Sequence, residues 1–231
     1  MRALRTALTV AACALLAACA GPQSALDPAG RDAERIATLF WWMAAGAVVI
    51  WLAMIGLFLY AYWGRPRAHS PRAAHWLIVG GGAVFPVVVL AVLLSFGLSL
   101  VPDLRRPVAD PGAPRLLVSG EQWWWRVRYP PAAEGGAPVE LANEIRLPVG
   151  EAAELTLVSP DVVHSFWVPS IAGKLDMVPG RRTRLVVEPT RTGRFRGACA
   201  ELCGASHAWM AFDVVVVPRP EYDGWLAAQR R

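Results

Sequence analysis

The residues best suited to chemistry lie in one twelve-residue stretch, Cys199-Ala200-Glu201-Leu202-Cys203-Gly204-Ala205-Ser206-His207-Ala208-Trp209-Met210. It holds two thiols, an imidazole and a thioether. A further histidine, His164, stands upstream in Ser159-Pro160-Asp161-Val162-Val163-His164-Ser165-Phe166-Trp167-Val168-Pro169. Thiolate, imidazole and thioether donors together select copper among biological metals. Two thiolates can also bridge a pair of metal ions, which a mononuclear set with one cysteine cannot. Other readings use the same residues. Cys199 and Cys203 could pair as a disulfide in an oxidising compartment. A Cys₂His₂ zinc site fits the donors but leaves Met210 unexplained. Thioredoxin-type copper chaperones also use C-x₃-C with a distant histidine, but lack the close histidine and methionine.

These donors need a rigid frame. Short apolar or alternating runs recur at 115–119, 122–129, 144–147, 153–159, 184–188, 195–198 and 211–217, separated by turn residues such as Pro148-Val149-Gly150 and Val178-Pro179-Gly180. Strands at this spacing predict an all-β sandwich or barrel over 115–218. Residues 219–231 read as a short terminal helix, and 103–114 as a proline-rich linker. On a strand, Trp123 and Trp125 would share one face and Trp124 the other.

The first hundred residues differ in kind. Segments 37–64 and 73–102 carry no charged residue. At about 1.5 Å per residue, each exceeds a hydrocarbon core of about 30 Å. Trp41, Trp42, Trp63 and Trp76 sit near the ends of these runs, as interfacial tryptophans do. Two spanning helices are expected, joined by a loop at 65–72 that holds Arg65, Arg67 and Arg72. The positive-inside rule puts that loop in the cytoplasm and both termini outside. Residues 1–18 read as a secretory signal. Leu16-Ala17-Ala18-Cys19 resembles a bacterial lipobox, with Cys19 as the lipidated residue and 19–36 as an external arm.

Composition narrows the function classes. The 231 residues are 55% hydrophobic and 18% charged, with 11 tryptophans, which excludes a disordered chain. The net charge of +5 could point to nucleic acid. However, the excess sits in Arg2 and Arg5 and in the 65–72 loop, and the region beyond is nearly neutral. No nucleic-acid partner is expected.

The motifs together resemble cytochrome c oxidase subunit II. C-A-E-L-C-G-A-S-H-A-W-M is similar to that family's C-x-E-x-C-G-x-x-H-x-x-M copper loop. Gly120-Glu121-Gln122-Trp123-Trp124-Trp125 is similar to its G-x-Q-W-x-W motif. Lys174-Leu175-Asp176-Met177-Val178-Pro179-Gly180-Arg181 is similar to its K-x-D-x-x-P-G-R segment, and the His164 segment completes the order.

The resemblance implies a membrane-anchored α+β chain, a two-helix hairpin followed by a cupredoxin-like Greek-key sandwich in the bacterial cytoplasmic membrane. It implies a dinuclear copper centre, CuA, with Cys199 and Cys203 bridging, His164 and His207 each on one copper, Met210 in a weaker position, and Glu201 ligating through its carbonyl. It further implies that the Glu201 side chain reaches a magnesium ion at the interface with subunit I, with Asp176 nearby. Trp123 becomes the electron entry from cytochrome c, with Glu140, Glu144 and Asp161 among the docking acids. Trp209 and Phe212 would shield the metals from water. The implied function is electron transfer from cytochrome c to the haem and copper of subunit I, which reduces oxygen and pumps protons with other oxidase subunits. Quinol-oxidase subunits of this shape lack the copper ligands, and nitrous oxide reductase has the loop without the hairpin. The glutamate that many members carry at the cytoplasmic start of the second helix is missing between Ala73 and Pro102.

Overall fold

In a computed structural model, the residues described are 20–64, 70–104, 112–133 and 136–231. Cys19, the signal segment and most of the arginine loop lie outside them. The chain forms two units. Among the described residues, one comprises those up to Leu39 together with those from Gly112 onward, and the other those between Phe40 and Leu104.

The second unit is helical. Helix α1 spans Arg31–Trp63, beginning before the apolar run proper. A short helix α2, Pro71–His75, is capped by the Ser70 hydroxyl, which accepts from the Ala73 N–H at 3.2 Å. It continues through a π-helical stretch, Trp76–Val84, into α3, Phe85–Leu104. In that stretch the Phe85 N–H reaches back to the Gly80 carbonyl. The wider turn falls just before Pro86, whose ring would crowd a regular α-turn. Two helical spans, Arg31–Trp63 and Pro71–Ser99, are long and apolar enough to cross a membrane, with mean hydropathies of 2.2 and 2.7 over their most apolar windows. Their large apolar side chains, including Trp42, Trp63, Trp76 and Leu90, are exposed. Water would penalise each by about 25 cal/mol per Å², whereas lipid would not.

The first unit is a β-sandwich of ten strands among the described residues. They are β1 Arg115–Glu121, β2 Trp124–Tyr129, β3 Val139–Ala142, β4 Glu144–Pro148, β5 Ala153–Val158, β6 His164–Trp167, β7 Leu175–Met177, β8 Thr183–Val187, β9 Gly193–Cys199 and β10 Ala211–Val217. One sheet runs β3-β2-β1-β5-β8 and the other β4-β10-β9-β6-β7. Strands distant in sequence are neighbours in both sheets: β1 pairs parallel with β5, and β4 with β10. This is the cupredoxin-like Greek-key arrangement. Alternation builds the core: Leu116, Val118, Leu155, Leu157, Val214 and Val216 point inward. The terminal helix α4, Arg219–Gln229, packs Tyr222 into the same core.

Three differences from the sequence reading have physical causes. Strands β3, β6 and β7 are only three or four residues long, and β6 is buried at three of its four positions, so it shows no clean alternation. Gln122 and Trp123 form the turn between β1 and β2 instead of lying on a strand, so Trp123 does not share a face with Trp125. The 19–36 arm is partly helical, and its charged residues other than Asp27 belong to the first turns of α1. The Ala29 N–H donates to the Ser170 carbonyl at 2.6 Å, and the Arg31 N–H to the Glu188 carbonyl at 3.0 Å. Gly30 bridges to Pro189, where a Cβ would sit 2.3 Å from the Ile171 carbonyl oxygen. The arm thus docks on the sandwich by backbone hydrogen bonds, which side-chain periodicity does not report.

Candidate metal centre

Four elements bring the donors together. His164 opens β6 and Cys199 closes β9, and these strands pair with Phe166 opposite Cys199. The chain then loops through Cys203 and a 3₁₀ turn at His207–Trp209 before Met210 leads into β10. The loop is closed at its base by the Cys199 N–H, which donates to the Met210 carbonyl at 3.0 Å. The Ala200 N–H adds a bond to the Ser165 carbonyl at 2.9 Å.

The two sulfurs of Cys199 and Cys203 stand 3.8 Å apart, and both thiols are free. Cys199 Sγ lies 3.7 Å from His164 Nδ1, and Cys203 Sγ lies 3.5 Å from His207 Nδ1. Met210 Sδ is 3.7 Å from Cys203 Sγ, and the Glu201 carbonyl oxygen is 3.2 Å from Cys199 Sγ. Each sulfur therefore has its own imidazole, and the carbonyl and the thioether flank opposite sulfurs. His164 is fully enclosed, and Met210, Cys203 and Cys199 are buried. Burial, with the Cys199 thiol beside it, pushes the Cys203 thiol up to about 11. Such a thiol ionises when a cation takes the proton's place. Two soft sulfurs, two ring nitrogens, a thioether and a carbonyl are a donor set suited to copper.

Behind the donors lies an aromatic wall. Trp125 is fully buried, with its ring centroid 4.8 Å from Phe212, 5.7 Å from Phe166 and 6.3 Å from His164. Its indole N–H donates to the Met210 carbonyl at 3.3 Å. Phe212 lies over Gly197, where a Cβ would meet the ring at 2.1 Å, so only glycine admits it. Phe212 is buried against Trp125 and Phe166. Trp209, on the short helical turn, is 86% exposed in this chain. Leu202, on the same loop, is likewise exposed.

Trp123 is 39% exposed, and its indole N–H donates to the Cys203 carbonyl at 3.2 Å. The Gln122 amide donates to the same oxygen at 2.7 Å. Gly204, at φ +119°, lets both side chains approach, with its Cβ position 3.1 Å from Gln122 and 3.2 Å from Trp123. Trp124 lies on the outer face under the Arg126 guanidinium, 4.5 Å away.

The three acids assigned to docking all have partners. Glu140 pairs with Arg126 and, at 2.7 Å, with Arg128. Glu144 pairs with Arg146 at 2.9 Å and with Arg194 at 3.5 Å. Asp161 accepts from the Gln122 N–H at 2.7 Å and from the Val162 N–H at 2.6 Å, and meets His164 Nε2 at 2.9 Å. Burial opposes charge on Asp161, but these bonds outweigh it and lower its pKa. Folding thus interleaves the acids of 134–161 with the later arginines, as in Glu144–Arg194 and Glu154–Arg184. Asp176 accepts from the Ser165 hydroxyl at 2.7 Å, and Glu201 is partly exposed.

Two contributors had weak or no signal in the sequence. Asn143 accepts from the Trp125 N–H through its side chain at 2.8 Å and donates its own N–H to the Trp125 carbonyl at 2.8 Å. No motif marks it. Gly120 packs against the His164 ring, with its Cβ position 3.1 Å away, and its place in the G-x-Q-W motif was the available hint.

Fold and site together define a cupredoxin-like domain with a dithiol candidate metal site, in a chain that also has two helices of membrane-spanning length. The family model for the periplasmic domain of cytochrome c oxidase subunit II matches residues 132–217. The cytochrome c oxidase subunit 2 of Alkalihalophilus pseudofirmus is 32% identical over 91% of this chain, which spans 64% of that relative's length. The alternative cytochrome c oxidase subunit 2 of Bradyrhizobium diazoefficiens is 31% identical over 80% of this chain and 74% of its own. The crystal structure of the periplasmic domain of subunit II of cytochrome oxidase from Bradyrhizobium japonicum is 28% identical. It covers 53% of this chain and 96% of that one, with a TM-score of 0.47. The chain belongs to the cytochrome c oxidase subunit II family.

Proposed function

We propose that the chain is the electron-input subunit of a respiratory cytochrome c oxidase. It takes electrons from cytochrome c at a dinuclear CuA site and passes them to the haem and copper of subunit I, where oxygen reduction is coupled to proton pumping. One observation carries this reading: each of two adjacent buried thiols faces its own imidazole, with a thioether and a carbonyl flanking them. His164, Cys199, Cys203, His207, Met210 and the Glu201 carbonyl would hold the metal. When bound, the copper would supply a one-electron centre.

The protein's own groups prepare that chemistry. The sandwich fixes Cys199 and His164 on paired strands, so little has to move when charge changes. Trp125, Phe166 and Phe212 exclude water from one side. Trp123 joins the surface to the Cys203 carbonyl by one hydrogen bond, which supports it as the electron entry. On the exit side, the Glu201 side chain would hold magnesium at the interface with subunit I. The remaining parts of the reading are an external N-terminus, a cytoplasmic 65–72 loop, lipidation at Cys19 and anchorage in the bacterial cytoplasmic membrane. The charge asymmetry of the loops and the lipobox support them.

The test is copper loading of the full chain. A mixed-valence two-copper EPR signal with near-infrared absorption is expected, and Cys203→Ser should abolish it. A chain that binds copper without that signal overturns the reading, as does a Cys203→Ser variant that keeps it. Docking through Glu140 and Glu144 has to work against their arginine partners. Reduction by cytochrome c should slow as ionic strength rises, and Glu140→Gln with Glu144→Gln should flatten that dependence. A rate already independent of salt in the unaltered chain overturns electrostatic docking.

A further inference from the structure

Asp161 sits on the surface in the sequence reading, yet its carboxylate faces inward onto four donors, one of them the Ser159 hydroxyl at 3.2 Å from Oδ1. Oδ2 takes the Gln122 N–H at 2.7 Å. Oδ1 takes the Val162 N–H at 2.6 Å and stands 2.9 Å from His164 Nε2. An ionised carboxylate only accepts hydrogen bonds. The His164 nitrogen facing it therefore carries the ring proton, which leaves Nδ1 with its lone pair. That atom is the one directed at Cys199 Sγ, 3.7 Å away. The ring cannot escape this choice easily. Gly120 lies against it, with a Cβ position only 3.1 Å from ring atoms, and the residue is fully enclosed.

The second oxygen extends the device. The Gln122 N–H is held by Asp161, while the Gln122 side chain and the Trp123 indole both donate to the Cys203 carbonyl, at 2.7 and 3.2 Å. Hydrogen bonds thus run from His164 through Asp161 and the Gln122–Trp123 turn to Cys203. They tie together the two chain segments that supply the donors.

We propose that Asp161 is a positioning residue of the metal centre. Its carboxylate holds His164 as the Nε2–H tautomer with Nδ1 free for metal, and it fastens that ligand to the turn that carries Trp123. The metal it serves is the copper of the reading above, on which the proposal rests. Carboxylates behind ligating histidines generally set tautomer and orientation, and their loss costs 10–100-fold in metal affinity.

The full chain in detergent decides the matter. It has only four histidines, His69, His75, His164 and His207, so ¹⁵N-histidine spectra of the copper-free protein are simple to assign. The unaltered chain should show His164 as the pure Nε2–H tautomer. Asp161→Ala should populate the Nδ1–H form, speed hydrogen exchange at the Gln122 amide and weaken copper binding about 10–100-fold. Asp161→Asn keeps the shape and a weaker acceptor. It should retain the fold, shift the His164 Nε2–H resonance and lose less affinity than the alanine variant. If Asp161→Ala does not fold, Asp161→Asn decides alone, and an unshifted resonance with unchanged affinity overturns the proposal. An alanine variant that folds with the tautomer, Gln122 exchange and copper affinity of the unaltered chain overturns it too, while the two-copper spectrum of the unaltered chain keeps the copper reading intact. An unaltered chain lacking that spectrum overturns the copper reading itself, and with it the metal role of Asp161.

Discussion

Strand β2 serves two different purposes at its two ends. At one end Trp125 touches His164, Phe166 and Phe212 and bonds the Met210 carbonyl. Four residues on, on the same inward face, Tyr129 closes the opposite end. Its hydroxyl accepts from the Arg146 N–H at 2.7 Å and donates to the Arg146 carbonyl at 3.1 Å. Its ring meets Trp225 of α4 at 5.3 Å. Both aromatics are buried and both satisfy backbone groups of other segments. At the metal end the bonded groups belong to the donor loop, so packing and chemistry are one structure. At the far end the bonds only hold the sandwich shut. Loss of stability should therefore disturb the metal at one end and spare it at the other.

The largest effect is expected from Trp125→Ala. It empties the aromatic wall and should cost about 3–5 kcal/mol, the usual range for a large buried aromatic. In urea unfolding of the full chain, the midpoint should fall accordingly. The copper spectrum of the folded fraction should change as well, because the Met210 carbonyl keeps only the Cys199 N–H of its two donors and His164 loses a neighbour. A destabilised variant with an unaltered spectrum would break the link between wall and metal.

The same contrast explains what the sequence makes legible. The donor loop can be read because metal chemistry restricts residue type and spacing at once. Cys199, Cys203, His207 and Met210 fall within one loop, and the structure gathers them with His164. The strands with regular alternation, such as β1 and β5, could be read for the same reason of enforced periodicity. What stayed hidden depends on three-dimensional contacts that carry no pattern. Asn143 acts through one side-chain oxygen and a left-handed backbone, at φ +57°. Strand β6 is buried at three of its four positions and so has no alternation to display. Trp209 and Phe212 look equally apolar in sequence, yet a three-residue helical turn leaves one exposed while β10 buries the other. Asp161 reads as a surface acid because its partners lie 39 residues away at Gln122 and on the next strand at His164.

A smaller effect is expected at the far end from Tyr129→Phe. The ring and its packing on Trp225 remain, but the Arg146 N–H and carbonyl lose their partner. Stranding buried backbone groups costs about 1–3 kcal/mol. Urea midpoints should drop by that amount while the copper EPR signal and near-infrared band stay where they are. A spectral change here would show that strain travels the length of β2 and would end the separation drawn between its two ends.

The smallest effect is a matter of pH, and it separates the ends by their ionising groups. Burial pushes Tyr222 up to about 12, and it raises Tyr129 in the same direction. An unfolded chain releases a tyrosine proton near pH 10, as an exposed tyrosine does. The folded chain keeps the proton longer, so this contribution to stability is complete below about pH 10 and is lost as pH rises toward 12. In the copper-free chain Cys203, pushed up to about 11, adds loss of the same sign that starts nearer the ordinary thiol value of about 8.5. With both thiols engaged by metal, that earlier part should vanish and only the tyrosine part remain. Urea midpoints measured from pH 8 to pH 12 should thus show an alkaline decline that starts later in the copper-loaded chain. Tyr222→Phe should reduce the later part and leave the earlier part untouched. If copper loading left the onset unchanged, Cys203 would not be the group that titrates there, and the alkaline limb would belong to the far end alone.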